Sequence, residues 1–210
     1  MLVRDRMSVH PITTTPDASV PDALKVMQGS KVRQLPVLDG KGALVGIVSL
    51  ADLFRVLPSP ASSLSVWEMG YLVEQIKVAD VMTKDVITVS PDTAVEEAGR
   101  LMAEGKVSGL PVMVDHDLVG MITESHLFSV LLDVFGARRP GVRVTARMPL
   151  EKGGLAKISA AIAGVGGHFV AFAESMDQGV VTFKVQDVGR DQLLKAIQPL
   201  VSEVIDVRET

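Results

Sequence analysis

The chain has 210 residues, 47% hydrophobic and 22% charged, which is room for two compact domains of ordinary globular composition. A formal net charge of −4 with no basic stripe argues against binding a nucleic-acid backbone, and the lack of cysteine removes disulfides, thiolate metal sites and cysteine nucleophiles. No apolar run approaches the ~18 residues of a membrane helix; Arg4, Asp5 and Arg6 do not fit a signal peptide, and a cytoplasmic protein is expected.

In chain order, Val9–Thr14 reads as a short strand ended by Pro16-Asp17, and Val20–Gln28 as a helix with apolar Val20, Ala23, Leu24 and Met27 on one face. Leu35–Leu38 and Leu44–Val48 are strands about an Asp39-Gly40-Lys41-Gly42 turn, and a second helix starts after Ser49. Pro58-Ser59-Pro60-Ala61-Ser62-Ser63 is a joint. Behind it, Ser65-x-x-Glu68 is a capping box for a helix holding Trp67 and Tyr71, the only Trp and Tyr, on one face. That helix reads either as a connector packed on its neighbours or as a dimer contact.

The pattern then restarts. Over residues 5–37 and 80–112 the offset is a constant 75 and 14 of 33 positions are identical; a one-residue deletion then aligns Gly46-Ile47-Val48-Ser49-x-x-Asp52 with Gly120-Met121-Ile122-Thr123-x-x-His126. An internal repeat of this length is one supersecondary unit used twice, and two copies can bury each other's apolar faces. The expected divisions are 1–57 and 79–135 for the repeats, 58–78 for the linker helix, and 141–208 for a third unit. In that last unit the order is strand Val142–Met148, helix Gly154–Ala163, strands Phe169–Ala173 and Val180–Val185 about Asp177-Gln178-Gly179, helix Asp191–Ile197 and strand Glu203–Val207. The βαββαβ order is ferredoxin-like, so the fold class is α/β (α+β).

The repeated Gly-h-h-Ser/Thr-x-x-Asp signal (h apolar) marks a strand feeding a helix. Ser49 and Asp52 can simply satisfy free backbone N–H groups as a capping box. The same geometry suits a ligand: a helix start favours phosphate, and a carboxylate can accept both hydroxyls of a ribose. The spacing leaves both readings open.

These motifs, with Asp80-Val81-Met82-Thr83 and the Val-x-x-Leu-Pro-Val strands, resemble a tandem pair of CBS domains, a Bateman module, over residues 1 to about 132. The resemblance implies two clefts that take adenosine-containing ligands. In one, Ser49 and Asp52 would hold ribose and phosphate, with Val86, Ile87, Val107 and Ser108 about the base. In the other, Thr123 faces Ile12, Val32 and Arg33. There His126 replaces the expected aspartate, so a weaker ribose grip is implied, with Arg33 pairing to phosphate in compensation. Candidate ligands are AMP, ADP, ATP, NAD and S-adenosylmethionine, with no required cofactor and no metal.

The C-terminal unit resembles an ACT domain. The family's Asp-x-Pro-Gly-x-Leu loop appears as Leu150-Glu151-Lys152-Gly153-Gly154-Leu155, keeping Gly153 and Leu155 but not the Asp or Pro. An amino-acid site would use Gly153, Gly154, His168 and Phe169; the alternative is that the glycines only make the turn. The whole arrangement is similar to the CBS–ACT proteins of the acetoin-utilisation AcuB-like group.

No catalytic constellation is present: the four histidines lack metal spacing, and no Ser-x-x-Lys or Gly-x-Ser-x-Gly nucleophile occurs. The expectation is a non-enzymatic sensor that binds an adenine nucleotide, forms a homodimer and signals to an unknown regulated protein, without nucleic acid or membrane. The alternatives are an oligomerisation scaffold with vestigial clefts and, last, a metabolite enzyme tied to acetoin use.

Overall fold

The repeat seen in the sequence reappears as a repeat of contacts. A computed structural model describes residues 1–58, 66–149, 152–175 and 179–210, except the side chains of Val66 and Met69. The Ser65 cap, Glu151 and the Asp177-Gln178 turn lie outside the described residues. The chain divides into two units, 1–127 and 128–210.

In the first unit, the first copy holds helix α1 (Val20–Ser30), strands β2 (Gln34–Leu38) and β3 (Leu44–Ser49) and helix α2 (Leu50–Arg55). The second holds α5 (Val95–Gly105), β4 (Gly109–Val114), β5 (Asp117–Thr123) and α6 (Glu124–Val134), the last of which ends in the second unit. Val20, Ala23 and Met27 of α1 are buried, as are Val95, Ala98 and Met102 of α5. Two apolar cores result, one per copy. The hairpins pair antiparallel, and both shift register at the same place, Val37/Leu38 and Val112/Met113.

The opening segment of each copy is exchanged. Residues 1–9 contact the second copy: Val3 N–H donates to the Thr93 carbonyl, Arg4 N–H to that of Pro91, and β1 (Ser8–Val9) pairs with β5. Residues 77–83, with helix α4 (Val78–Val81), do the same to the first copy: Val78 N–H donates to the Ala18 carbonyl, and Thr83 bridges Ile47. Val3 is fully buried among Val89, Ala98, Met102 and Leu110, while Val78 is fully buried with the first copy's core. The repeated glycine accommodates the crossing chain. A Cβ on Gly46 would lie 2.5 Å from Met82 Sδ and 3.0 Å from the Thr83 carbonyl; on Gly120 it would lie 2.7 Å from Met7 Sδ and 2.9 Å from the Ser8 carbonyl.

One expectation needs correction. The strand over Val9–Thr14 does not form: only Ser8–Val9 pairs, with β5, and Thr14 makes a single parallel bridge to Val37. His10 at φ +50° followed by Pro11 breaks the run. The linker helix α3 (Val66–Gln75) packs on the first core through buried Val73 and leaves Trp67 90% exposed and Tyr71 66%.

The second unit holds β6 (Val142–Arg147), α7 (Gly154–Gly164), β7 (His168–Glu174), β8 (Val180–Gln186), α8 (Arg190–Ile197) and β9 (Glu203–Glu209). Its strands form one antiparallel sheet in the order β7-β8-β6-β9, the split pattern expected of βαββαβ. Strand alternation sends Val142, Val144, Ala146, Val181, Phe183 and Val185 to one face, where Ile158, Ile162, Leu193 and Ile197 of the helices cover them. The other face is polar, with Arg143, Thr145, Thr182 and Lys184.

Candidate functional site

Two helix starts carry the repeated signal. At the first, the Ser49 hydroxyl accepts from the Asp52 N–H at 3.2 Å, and Asp52 Oδ2 accepts from the Ser49 N–H at 2.9 Å and from its hydroxyl at 2.6 Å. The other Asp52 oxygen lies 3.9 Å from Arg55. This is a complete capping box, as the spacing requires.

At the second, His126 stands in for the carboxylate. Its Nδ1 accepts from the Thr123 N–H at 3.1 Å, so the ring does for α6 what Asp52 does for α2. An acceptor at Nδ1 places the neutral ring's proton on Nε2, which donates to the Ser8 hydroxyl at 3.2 Å. The ring is half-buried, and burial pushes its pKa below the ordinary 6.5, because the charged form loses water.

A cavity of about 420 Å³ opens around this second start. One wall is the exchanged segment from Ser8 to Ile12, another is Lys31 to Gln34, and the third is Thr123 to His126. Thr123, His126, Ile12, Val32 and Arg33 therefore line one cavity. Ser108, grouped by sequence with the other cleft, lines this one, and its hydroxyl accepts from Gln34 Nε2 at 3.1 Å. The cavity combines apolar Ile12 and Val32 with two exposed cations, Lys31 and Arg33, and one acid, Glu124. Apolar walls with a few convergent polar groups, at this volume, are the character of a small-molecule site.

Val86, Ile87 and Val107, grouped by sequence with Ser49 and Asp52, do not line this cavity. Ile87 rests over Gly105, where an added Cβ would meet its Cδ1 at 2.7 Å, and Val107 packs on the second core. Sequence reasoning missed Ser8, His10, Lys31, Gln34 and Glu124. Lys31 and Gln34 flank predicted residues and were within reach. Ser8 and His10 enter the cleft only because the opening segment is exchanged, which local patterning does not show.

In the second unit, Gly153 at φ +86° precedes α7 and lines a cavity of about 430 Å³ with Gly154, Leu155 and Phe172. Phe169 lines a neighbouring hollow with Leu155 and Ser159. His168 lines neither; it opens β7, exposed, opposite Gln186. Among the described residues, no group of three or more His, Asp or Glu could hold a metal ion, and no helix is long and apolar enough to cross a membrane.

Two βα copies that trade opening segments and enclose a cleft at a strand-to-helix turn define a tandem CBS pair. The CBS-domain family model matches residues 3–59 and 78–133, and the chain belongs to that family. Three solved structures are similar to it. One is an acetoin-utilisation protein (AcuB) from Vibrio cholerae, 28% identical, with a TM-score of 0.53 over 66% of this chain and 95% of that one. A second is CBSX2 of Arabidopsis thaliana in complex with AMP, 32% identical, with a TM-score of 0.54 over 63% and 97%. The third is the CBS pair of protein MJ0100 in complex with 5′-methylthioadenosine and S-adenosyl-L-methionine, 26% identical, with a TM-score of 0.53 over 66% and 98%.

Proposed function

We propose that the chain is a regulatory sensor that holds an adenosine-containing nucleotide in the cleft at Thr123 and His126, and that occupancy is passed to its C-terminal unit or to a regulated partner protein. The observation that carries this reading is the cavity itself: apolar Ile12 and Val32 suit a purine, while Arg33 and Lys31 line the same cavity as the helix start at Thr123, where a phosphate is favoured. The AMP and S-adenosylmethionine complexes of similar CBS pairs support the ligand class. The reading needs no chemical step. Ser49 and Asp52 are the counterpart site of the other copy, with Val86, Ile87, Val107 and Ser108 as its assigned base contacts.

A thermal-shift panel of AMP, ADP, ATP, NAD and S-adenosylmethionine tests this. A ligand at 100 times its Kd stabilises by about 2.7 kcal/mol. Arg33→Ala is expected to weaken a phosphate-bearing ligand by about 1.5–3 kcal/mol, the range for a hydrogen bond to a charged group. A flat panel would leave the scaffold reading in its place.

The C-terminal unit is read as an ACT domain that self-associates. Its βαββαβ order and Gly153 at the start of α7 support the assignment, and Gly154 offers a backbone N–H to a carboxylate in the Gly153 cavity. Of the four residues assigned to an amino acid, Gly153 and Gly154 have the best support, Phe169 less, and His168 least. Strands β7 and β9 end the sheet, and Trp67 and Tyr71 add exposed aromatic surface, so a two-fold homodimer is expected. Sedimentation of the full chain as a monomer at micromolar concentration would remove the dimer from this proposal.

A further inference from the structure

Lys184 is the one buried charged residue among those described, 4% exposed. Its Nζ donates to the Gly136 carbonyl at 3.0 Å, and no described carboxylate lies within ion-pair distance. Gly136, at φ +60°, ends the α6 chain turn, and Ala137 N–H closes onto the Leu132 carbonyl at 2.8 Å, so Lys184 caps that turn. Capping uses one of three N–H donors, and a buried ammonium calls for more than a single carbonyl.

A second observation points the same way. In the β6–β8 register Arg143 stands directly opposite Lys184 on the polar face of the sheet. Like charges placed cross-strand repel. Asp206, the carboxylate that Arg143 bonds, is already shared, 3.4 Å from Arg143 and 3.0 Å from Arg208. Arg143, Arg208 and Lys184 thus have one carboxylate among them, while Arg147 on the same face is paired with Glu203.

Arg143 and Lys184 line a cavity of about 380 Å³. Its other surfaces include Thr182, the small side chains of Ala171 and Ala173, and Phe135. Ala171 is the cross-strand partner of Lys184, and Ala173 that of Thr182, so the cations stand at one end of an alanine-floored groove.

We propose that this polar sheet face binds a short aliphatic monocarboxylate, with its carboxylate on Lys184 and Arg143 and its hydrocarbon over Ala171 and Ala173 beneath Phe135. The site is separate from the nucleotide cleft and does not depend on that reading.

Calorimetric titration of the full chain with butyrate tests it, with butyramide and inorganic phosphate as comparators. Butyrate should bind saturably, and butyramide and phosphate should not. Lys184→Met, checked for folding by circular dichroism, should weaken butyrate by about tenfold or more, as loss of a charge-assisted contact implies. Ala173→Leu keeps the lysine and its cap but fills the groove, and it should weaken butyrate similarly. That second variant decides the matter if Lys184→Met does not fold. No saturable butyrate binding, equal binding of butyramide or phosphate, or unchanged affinity in Ala173→Leu would overturn the proposal.

Discussion

Val3→Asp is expected to unfold the second CBS copy, although residue 3 is almost at the chain's start. Terminal residues usually tolerate change, because they are rarely tied down. Val3 is tied down: it is fully buried against Val89, Ala98, Met102, Leu110, Val112 and Ile122, and its N–H bonds the Thr93 carbonyl. An aspartate there would place an unpaired carboxylate in an apolar core, a loss of about 4 kcal/mol or more. Val3→Ala, which only removes methyl groups, should cost about 1–3 kcal/mol. The same exchange makes Val78→Asp the equivalent lesion for the first copy. Urea denaturation measures both. If Val3→Asp changed stability by less than about 1 kcal/mol, as an exposed substitution does, residues 1–9 would not be part of the second core. Loss of that segment should also remove the Ser8–Ile12 wall of the cleft, so nucleotide response and stability should fall together.

The exchange also marks the limit of what the sequence discloses. Helix α1 and strands β2 and β3 could be read from local spacing, because 3.6- and 2-residue periods are properties of a few neighbouring residues. The constant offset of 75 between copies carries over into contacts: Thr14–Val37 and Val89–Val112 are matched parallel bridges, as are the antiparallel bridges Leu2–Ala94 and Lys77–Ser19 with their exchanged partners. Which copy a segment joins is a different matter. Asp5-Arg6-Met7-Ser8 reads as the head of the first repeat, yet it pairs with the second, and no local pattern distinguishes the two. The helix start at Thr123 was legible from the spacing of a hydroxyl and an acceptor three residues apart, whereas Ile12, Val32 and Arg33 were grouped with it only through the resemblance to CBS pairs. Lys184 was not legible. In Thr182-Phe183-Lys184-Val185 it takes its turn on the polar face, and only the return of Phe135 and Gly136 over that face buries it.

His126→Asp is expected to tighten AMP binding and to remove a pH dependence of stability. The wild-type ring holds the Thr123 N–H through Nδ1 and can do so only while neutral, since a protonated ring has no acceptor left. Burial lowers its pKa from 6.5, so the folded chain binds this proton less readily than the unfolded chain. The sign follows: the stability tied to a neutral ring is fully present above pH 6.5 and is lost as the pH falls toward the lower folded value. Lys31 and Arg33 across the cavity oppose the charged form, Glu124 beside it favours that form, and His10 lines the same cavity. An aspartate at 126 would take the Thr123 N–H as Asp52 takes that of Ser49, and would stay ionised throughout this window. The fall in stability below pH 6.5 should therefore flatten. The carboxylate also offers two oxygens to a ribose where the ring offers one N–H, and the gain for AMP should be about 1.5 kcal/mol or more, roughly tenfold in affinity. Calorimetry at pH 7.5 with thermal melts from pH 7.5 to 5.5 reads both effects. A folded His126→Asp chain that binds AMP no more tightly would show that the helix start at Thr123 does not hold the ribose, and the imidazole would then be a helix cap alone.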